Sequence, residues 1–470
     1  MELDPQACYR ALVTHDARFD GAFFVGVKTT GIYCRTVCRA KTPRADRCTF
    51  YPTAAAAERA GYRPCLRCRP ELAPGHSPVD AVGRLARALM SRIEDGALRD
   101  GSVDDLAASL GVSGRHLRRV SLAELGVTPI ELAQTHRLLT AKRLLTDTAM
   151  TVADVAFASG FSSLSRFNTL FRERYRLSPT DLRRRRGGAP SMIVTEIGYV
   201  PPYDWEALLV FDGTRVWDGV ERVDGDRYLR TVRVGPCTGW VGVSPVAGRH
   251  ALGVEMSASL APAFLAVVAG VKRVCDTAVD PEPIARHLGP LAAGNPGLRV
   301  PGAFEPFEIA VRAVLGQQVS IAGATTLAAR LLALAGEPIE TPHEGLSRLS
   351  PTPEAIARLT PEGLAGSLRV PLSRARALHA LSAAVAEGRI VLRPGVEVAS
   401  TIAALKALSG IGEWTAQYIA LRGLSWPDAF PASDLGIVKA LGGEKEALRV
   451  AEAWRPWRAY AAMHIWTPAK

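Results

Sequence analysis

Five of the eight cysteines in this 470-residue chain lie in one short, arginine-flanked stretch, four of them as two close pairs with Cys48 between. "GIYCRTVCRA" carries Cys34 and Cys38, and "RPCLRCRP" carries Cys65 and Cys68. Cys-x3-Cys followed after a loop by Cys-x2-Cys is close to structural zinc spacing, in which thiolate sulfurs surround one dication. No His lies beside either pair, so the expected ligand set is four thiolates. In a segment with few large apolar residues the metal would supply folding free energy directly. Disulfides are the weaker reading. The N-terminus "MELDPQACYR" has acids and no apolar core, so no export signal is expected, and the thiols fit a reducing compartment. Spacing alone thus predicts one zinc ion with a structural role. Cys48, Cys8, Cys237 and Cys275 lack partners at ligand spacing and are expected to pack in cores.

A second signal lies near the end of the chain. "LKALSGIGEWTAQYIALRGL" reads as a helix, a Gly-x-Gly hairpin and another helix. Gly410 and Gly412 permit a tight turn whose backbone N–H groups, with the following helix N-terminus, can hold a DNA phosphate without reading sequence. "WPDAFPASDLGIVKAL" then sets Asp434 beside a helix start, where a carboxylate either caps the helix or serves chemistry. Asp428 is the rival carboxylate within the segment, but it precedes the loop, where a surface role is expected.

The elements that must position these groups follow from charge and pattern. Residues 1–190 hold 30 Lys and Arg against 19 Asp and Glu, whereas residues 191–470 hold 27 of each. The net charge of +11 therefore belongs to the N-terminal part and points to a polyanion, most often nucleic acid, rather than a merely solvated cationic face. No apolar run approaches the roughly 20 residues of a membrane helix, because "APAFLAVVAGV" is halted by Lys272 and Arg273. "RPELAPGHSP" and "RRRRGGAP" read as linkers. The expected fold class is multidomain α+β. A small zinc-binding α/β domain occupies 1–77, and an all-α double helix-turn-helix domain occupies 80–187. A small antiparallel β-sheet/α domain follows at 191–298 and an all-α domain at 299–470.

"SVDDLAASLGVSGRHLRRV" and "TVADVAFASGFSSLSRFNTLFRERYRLSPTDLRRR" share one plan, with Gly111 and Gly160 in the turns and Ser113 and Ser162 as helix caps. Arg115, His116, Arg118 and Arg119 on the first recognition helix, and Ser163, Ser165, Arg166 and Asn168 on the second, are candidates to face the major groove. Phe161, Phe167 and Phe171 are expected in the core.

Longer stretches resemble known families. "FDGAFFVGVKTTGIYCRTVCRAKTP" followed by "FYPTAAAAERAGYRPCLRCRP" resembles the zinc domain of the Ada family of DNA alkylation-repair proteins. The helix-turn-helix pair is similar to the AraC-type DNA-binding domain, most specifically through Gly-Phe-Ser-x-x-Ser-x-Phe. "FEPFEIAVRAVLGQQVS", the hairpin with Asp434, and "WRPWRAYAAMHIW" resemble the helix-hairpin-helix DNA glycosylase superfamily, and within it the AlkA-type 3-methyladenine glycosylases. "YVPPYDWEALLVF" resembles their N-terminal sheet domain, so this likeness runs from about residue 191 to the end. Together the resemblances describe a bacterial Ada-AlkA fusion.

The Ada resemblance implies that Cys34 is both zinc ligand and methyl acceptor, removing a methyl group from a DNA phosphotriester and keeping it. Four thiolates on one dication leave a charge of −2, and methylation leaves −1, so repulsion from phosphates falls and DNA affinity should rise. The AraC-type part would then activate transcription at an operator, acting as a monomer in the cytoplasm, at the nucleoid, with RNA polymerase as a partner. The AlkA resemblance implies hydrolysis of the N-glycosidic bond of alkylated purines such as 3-methyladenine, after the base leaves the stack. The cationic base departs neutral, so no general acid is needed, and Asp434 would oppose the oxocarbenium charge left on the sugar. Trp414, Tyr418 and Trp466 map onto the base pocket, where aromatic faces suit a cationic base. Lyase-type relatives carry lysine at the Trp414 position, so here the strand should stay intact. Gln318 stands where the best-known AlkA-type enzyme has a leucine wedge, and would fill the vacated stack. Pro236-Cys237 is followed by Thr238 rather than completing a Pro-Cys-His-Arg signature, so repair of O6-alkylguanine is not expected. The alternative is a methylation-responsive regulator whose C-terminal part only binds DNA.

Overall fold

A computed structural model describes residues 3, 5–13, 23–36, 38, 40–68, 70, 84–94, 96–98, 101–148, 150–183, 192–393 and 396–467. The two stretches read as linkers lie almost wholly outside these residues, as does the tail at Lys470. The chain divides into two compact units. One comprises Met1–Pro201, Val246–Ala269 and Thr277–Val279, and the other Pro202–Pro245, Gly270–Asp276 and Asp280–Lys470.

The first unit begins with α1 (Pro5–Val13), followed by the strands β1 (Phe24–Val27), β2 (Ile32–Cys34) and β3 (Cys48–Tyr51). β1 is central and antiparallel to both others, so that Val25 faces Cys34 on one side and Phe50 on the other. α2 (Ala54–Arg59) leads into β4 (Arg63–Pro64), which lies parallel to β2. Successive strand residues point to opposite faces, and two small cores result. Phe23 and Val25 pack with Cys8, Leu12 and Cys48, while Phe24 packs with Tyr33 and Ala57.

Seven helices follow: α3 (Arg84–Glu94), α4 (Val103–Ser109), α5 (Gly114–Leu125), α6 (Pro129–Asp147), α7 (Val152–Ala158), α8 (Leu164–Tyr175) and α9 (Pro179–Arg183). Their starts are written in the sequence. Ser102 with Asp105, Thr128 with Glu131 and Thr151 with Asp154 form reciprocal capping boxes on α4, α6 and α7. Gly111 and Gly160 turn the chain with φ of +72° and +87°, a region that only glycine enters cheaply. Ser113 caps α5 as expected. The cap of α8 is Ser163 rather than Ser162. Ser163 is extended and its Oγ accepts from Arg166 N at 3.4 Å, so its side chain is held by the helix start instead of being presented to a groove. Phe161, Phe167, Phe171 and Tyr175 form a buried row with centroid separations of 5.1, 5.4 and 4.6 Å. Ala55 of α2 joins the core of Leu89, Leu106, Leu117 and Leu125, so the sheet segment and the first helix-turn-helix share packing. β5 (Met192–Gly198) pairs antiparallel with Ala251–Ser257, and buried Arg143 of α6 donates to Thr195 Oγ1 and to the Glu196 carbonyl.

The second unit opens with α10 (Trp205–Gly213) and an antiparallel meander of β6 (Glu221–Asp224), β7 (Arg227–Val234) and β8 (Cys237–Pro245). The apolar stretch before α12 is longer than its sequence suggests. A 3-10 turn within the first unit's residues runs directly into α11 (Phe264–Cys275), whose residues from Gly270 on belong to the second unit. Ala258–Cys275 reaches membrane-spanning length and apolarity. More than half of it, 56%, is buried inside the fold, which marks a core segment. Helices then dominate. They are α12 (Pro281–Leu288), α13 (Pro306–Leu315), α14 (Ile321–Ala335), α15 (Pro353–Ala357), α16 (Pro361–Leu368), α17 (Leu372–Ala386), α18 (Val398–Lys406), α19 (Glu413–Tyr418), α20 (Leu435–Leu441), α21 (Glu444–Ala451) and α22 (Arg458–Trp466). A two-residue ladder joins Glu337–Pro338 to Arg348–Leu349. Buried Arg230 of β7 donates to both carboxylate oxygens of Glu308 on α13 at 2.8 Å, fixing the meander against the helices. That pair specifies an arrangement more than it adds stability, because desolvation offsets much of its attraction.

Candidate functional sites

The parallel register of β2 with β4, Tyr33 opposite Pro64, brings the two cysteine pairs together. Cys34 ends β2, Cys65 directly follows β4, and all four sulfurs of Cys34, Cys38, Cys65 and Cys68 lie within 4.8 Å of one another. Zinc–sulfur bonds of about 2.3 Å give tetrahedral edges of roughly 3.8 Å, so this set fits one zinc ion after slight contraction. The donor chemistry agrees. Hydrogen bonds to Cys38, Cys65 and Cys68, and then burial, push the Cys34 thiol up, while the Cys34 bond is the main cause that brings Cys38 down to about 7. Crowded thiols cannot all ionise by themselves, and a dication removes that conflict. Arg35 N donates to Cys68 Sγ at 3.4 Å and Arg35 Nη1 to the Cys68 carbonyl at 3.3 Å, steadying the ligand loop. Cys8, Cys48 and Cys275 are buried, as packing residues should be. Cys237 is not. It stands half-exposed at the start of β8, before that strand enters its buried middle.

On α5, Arg115, Arg118 and Arg119 are exposed. Arg118 Nη1 lies 3.5 Å from Asp104 Oδ1, and Arg119 Nη2 lies 2.9 Å from His116 Nδ1. On α8, Ser165 and Arg166 are exposed and Asn168 is half-buried.

In the second unit Asp434 is the meeting point. It caps α20, its Oδ1 accepting from Gly436 N at 3.0 Å and Ile437 N at 3.3 Å. Two indoles reach the same carboxylate. Trp466 Nε1 donates to Oδ1 at 2.9 Å and Trp414 Nε1 to Oδ2 at 3.0 Å. The capping role that the sequence allowed for Asp434 is therefore present, and the same carboxylate meets two of the predicted pocket aromatics. Trp414 and Tyr418, one helical turn apart on α19, stack at 5.3 Å with planes 19° apart, and Tyr418 lies 6.1 Å from Trp466. The structure thus brings together all three predicted pocket aromatics and Asp434.

It also adds residues that the sequence did not flag. Phe211 of α10 stacks on Trp466 at 6.3 Å, and the guanidinium of Arg215 lies 3.8 Å over the Phe211 ring. Arg422 lies 5.1 Å from that ring and pairs with buried Asp212 at 2.9 Å. Burial raises the Tyr418 phenol, but Arg422 and Arg215 outweigh it and hold it below its ordinary value. A phenylalanine in an apolar helix gives no signal of this kind, because its partner is distant in sequence.

Asp428 is a correction. It is buried, not superficial, and accepts from Arg458 Nε at 2.7 Å and Arg455 Nη1 at 2.5 Å. Two arginines in "WRPWRAY" compensate its charge.

Gly410 bends the hairpin with φ +87°, and a Cβ there would come 2.7 Å from Ala377 Cβ, so both conformation and space demand glycine. Gly412 is extended and caps α19 with open space where a side chain would stand, leaving the helix N-terminus uncovered. Gln318 is exposed with φ +54° in the gap between α13 and α14. Its neighbour Gln317 donates to the Gly410 carbonyl at 2.8 Å and to Thr415 Oγ1 at 3.0 Å, tying this gap to the hairpin. Arg374 Nη2 holds the Gln317 carbonyl at 2.5 Å.

Comparison with known proteins accounts for both units. The family model "Metal binding domain of Ada" matches residues 7–71, and "Helix-turn-helix domain" matches 106–185. "AlkA N-terminal domain" matches 194–305, and "HhH-GPD superfamily base excision DNA repair protein" matches 311–444. The chain is 39% identical to the "Probable bifunctional transcriptional activator/DNA repair enzyme AlkA" of Mycobacterium tuberculosis, over 99% of this chain and 97% of that protein. It is 39% identical to "DNA-3-methyladenine glycosylase 2" of Escherichia coli over 57% of this chain and 95% of that protein. It is 34% identical to "Bifunctional transcriptional activator/DNA repair enzyme Ada" of Escherichia coli over 26% of this chain and 33% of that protein. With its whole length matched by the first of these relatives, the chain belongs to the family of bifunctional transcriptional activator/DNA repair enzymes named AlkA.

Proposed function

We propose that this chain both repairs alkylated DNA and activates transcription in response to alkylation, with four parts at 1–77, 80–187, 191–298 and 299–470. Zinc held by Cys34, Cys38, Cys65 and Cys68 would keep these thiols deprotonated at neutral pH and so supply an electron-rich sulfur. Cys34 Sγ attacks the methyl carbon of a methylphosphotriester, the C–O bond breaks, and the phosphate diester leaves as an anion. The sulfur becomes a thioether, so each molecule acts once. Arg115, Arg118, Arg119, Ser165, Arg166 and Asn168 then read an operator, more tightly because one negative charge has gone from the protein face. The activator works as a monomer with RNA polymerase, in the cytoplasm at the nucleoid.

The second activity is hydrolytic release of alkylated purines such as 3-methyladenine from duplex DNA. The hairpin of Gly410 and Gly412 holds a backbone phosphate, Gln318 fills the emptied stack, and Trp414, Tyr418 and Trp466 receive the flipped base. Asp434 opposes the positive charge that develops on the sugar as the C–N bond breaks. The single observation that best supports this reading is the convergence of two indole N–H groups on one carboxylate at a helix start, with Tyr418 stacked on one of the two rings.

The test uses the full chain and DNA carrying methylphosphotriesters and alkylated purines. Mass spectrometry should find one added methyl, on Cys34, and the glycosylase assay should yield free base with an intact strand. Methyl on Cys38 would overturn the acceptor assignment. If the chain takes up methyl but releases no base, the regulator whose C-terminal part only binds DNA replaces this reading.

A further inference from the structure

We propose that Trp414 and Trp466 serve the reaction through their indole N–H groups, as positioning residues for the Asp434 carboxylate, and not only through their ring faces. The inference rests on the reading that Asp434 carries glycosidic cleavage.

A carboxylate offers about four lone-pair sites, two on each oxygen. Oδ1 of Asp434 is filled by Gly436 N, Ile437 N and Trp466 Nε1 at 3.0, 3.3 and 2.9 Å. Oδ2 takes one donor among the described residues, Trp414 Nε1 at 3.0 Å. Capping α20 needs Oδ1 alone, so the bond from Trp414 adds nothing to the cap. Its effect is to fix the rotation of the carboxylate about its own axis. The two oxygens are thereby made unequal. Oδ1 is spent on the helix start and Trp466, while Oδ2 keeps a free lone pair and is the oxygen left to face the sugar. All four donors are neutral N–H groups, so they orient the charge without cancelling it. A cationic donor at either place would lessen the attraction that the developing oxocarbenium ion needs.

Ring and N–H can be separated. Trp414→Phe and Trp466→Phe keep an aromatic face for stacking and remove the donor. Hydrogen bonds to charged groups are among the stronger ones, so each substitution should lower single-turnover release of an alkylated purine roughly ten- to hundredfold. Affinity for the same damaged duplex, measured in an Asp434→Asn background where turnover is suppressed, should change less than about threefold, because stacking area is largely kept. The deciding measurement is the double-mutant cycle. If the indole acts through the carboxylate, Asp434→Asn with Trp466→Phe releases base no more slowly than Asp434→Asn alone. Multiplying losses would show that the tryptophan acts on the base independently and would overturn the inference, as would wild-type rates in both Phe variants. If Asp434→Asn itself releases base at the wild-type rate, the glycosylase assignment fails first and this inference falls with it. Damaged-duplex binding by each variant confirms that it is folded.

Discussion

The two candidate centres handle negative charge in opposite ways. In the first unit four thiols are crowded within 4.8 Å, an arrangement in which all four can ionise only around a bound cation. In the second, one carboxylate is held by four neutral N–H donors at 2.9 to 3.3 Å. On the proposed function the contrast sets turnover. Concentrated charge on a polarisable sulfur makes a nucleophile that forms a permanent bond and is used up. A dispersed, oriented carboxylate stabilises a passing cation and is left unchanged.

The most severe way to break the comparison is to remove the metal. Cys65→Ser with Cys68→Ser should abolish zinc binding by metal analysis, and the 1–77 segment should unfold. Structural zinc commonly contributes about 10 kcal/mol or more of apparent folding free energy, far above any single contact here. The second unit should keep its glycosylase activity, and loss of both activities would contradict their separate origins.

Asp434→Asn comes next. It preserves an Oδ1 acceptor for the cap but removes the charge, and base release should fall by about 3 kcal/mol, or roughly a hundredfold. DNA binding should hold or improve.

Glu58 sharpens the comparison, because it is a carboxyl treated unlike Asp434. It is buried, receives the Tyr33 hydroxyl at 2.9 Å, and is pushed up by burial to about 7. Unfolded, it ionises near 4.5, so the folded state holds the extra proton between those values. The first unit should therefore lose stability as pH rises through this window, by up to about 3 kcal/mol once the group is ionised. Glu58→Gln should flatten that dependence in thermal melts run from pH 5 to 8, relative to the wild type.

The smallest expected effect is at Gln317. Gln317→Ala removes the bonds to Gly410 and Thr415. Duplex affinity should weaken about tenfold, in line with roughly 1 kcal/mol for a neutral hydrogen bond to the backbone plus a smaller second one. Titration of undamaged DNA would show it, because hairpin binding does not read the lesion.

How much of this was legible beforehand depended on whether the signal was local. The cysteine spacing, the Ser113 cap and the glycines of the turns are each read within a few residues, and the structure has them where the pattern put them. The aromatics of α19 could be paired with Asp434 only through the resemblance to a family. Phe211 and Asp212 belong to α10 and Arg215 lies just past its end, nothing local marks them, and tertiary folding alone carries them to Trp466 and Arg422. Asp428 was misread for a related reason, since the arginines that let it be buried lie about thirty residues further on, in another helix. Ser163 displaced Ser162 as a cap by one residue, a distance that hydroxyl-rich sequence does not resolve.

The cap geometry of Asp434 also has a practical outcome. Most substitutions there would fray the start of α20 as well as silence the chemistry, so loss of activity and loss of fold would be hard to tell apart. Asparagine is the exception, since it can still accept from Gly436 and Ile437. The exchange of one oxygen for an amide nitrogen should give a protein that recognises lesions and holds them without releasing the base. Such a variant would serve as a capture reagent, recovering fragments of a damaged genome by the sites at which repair has stalled.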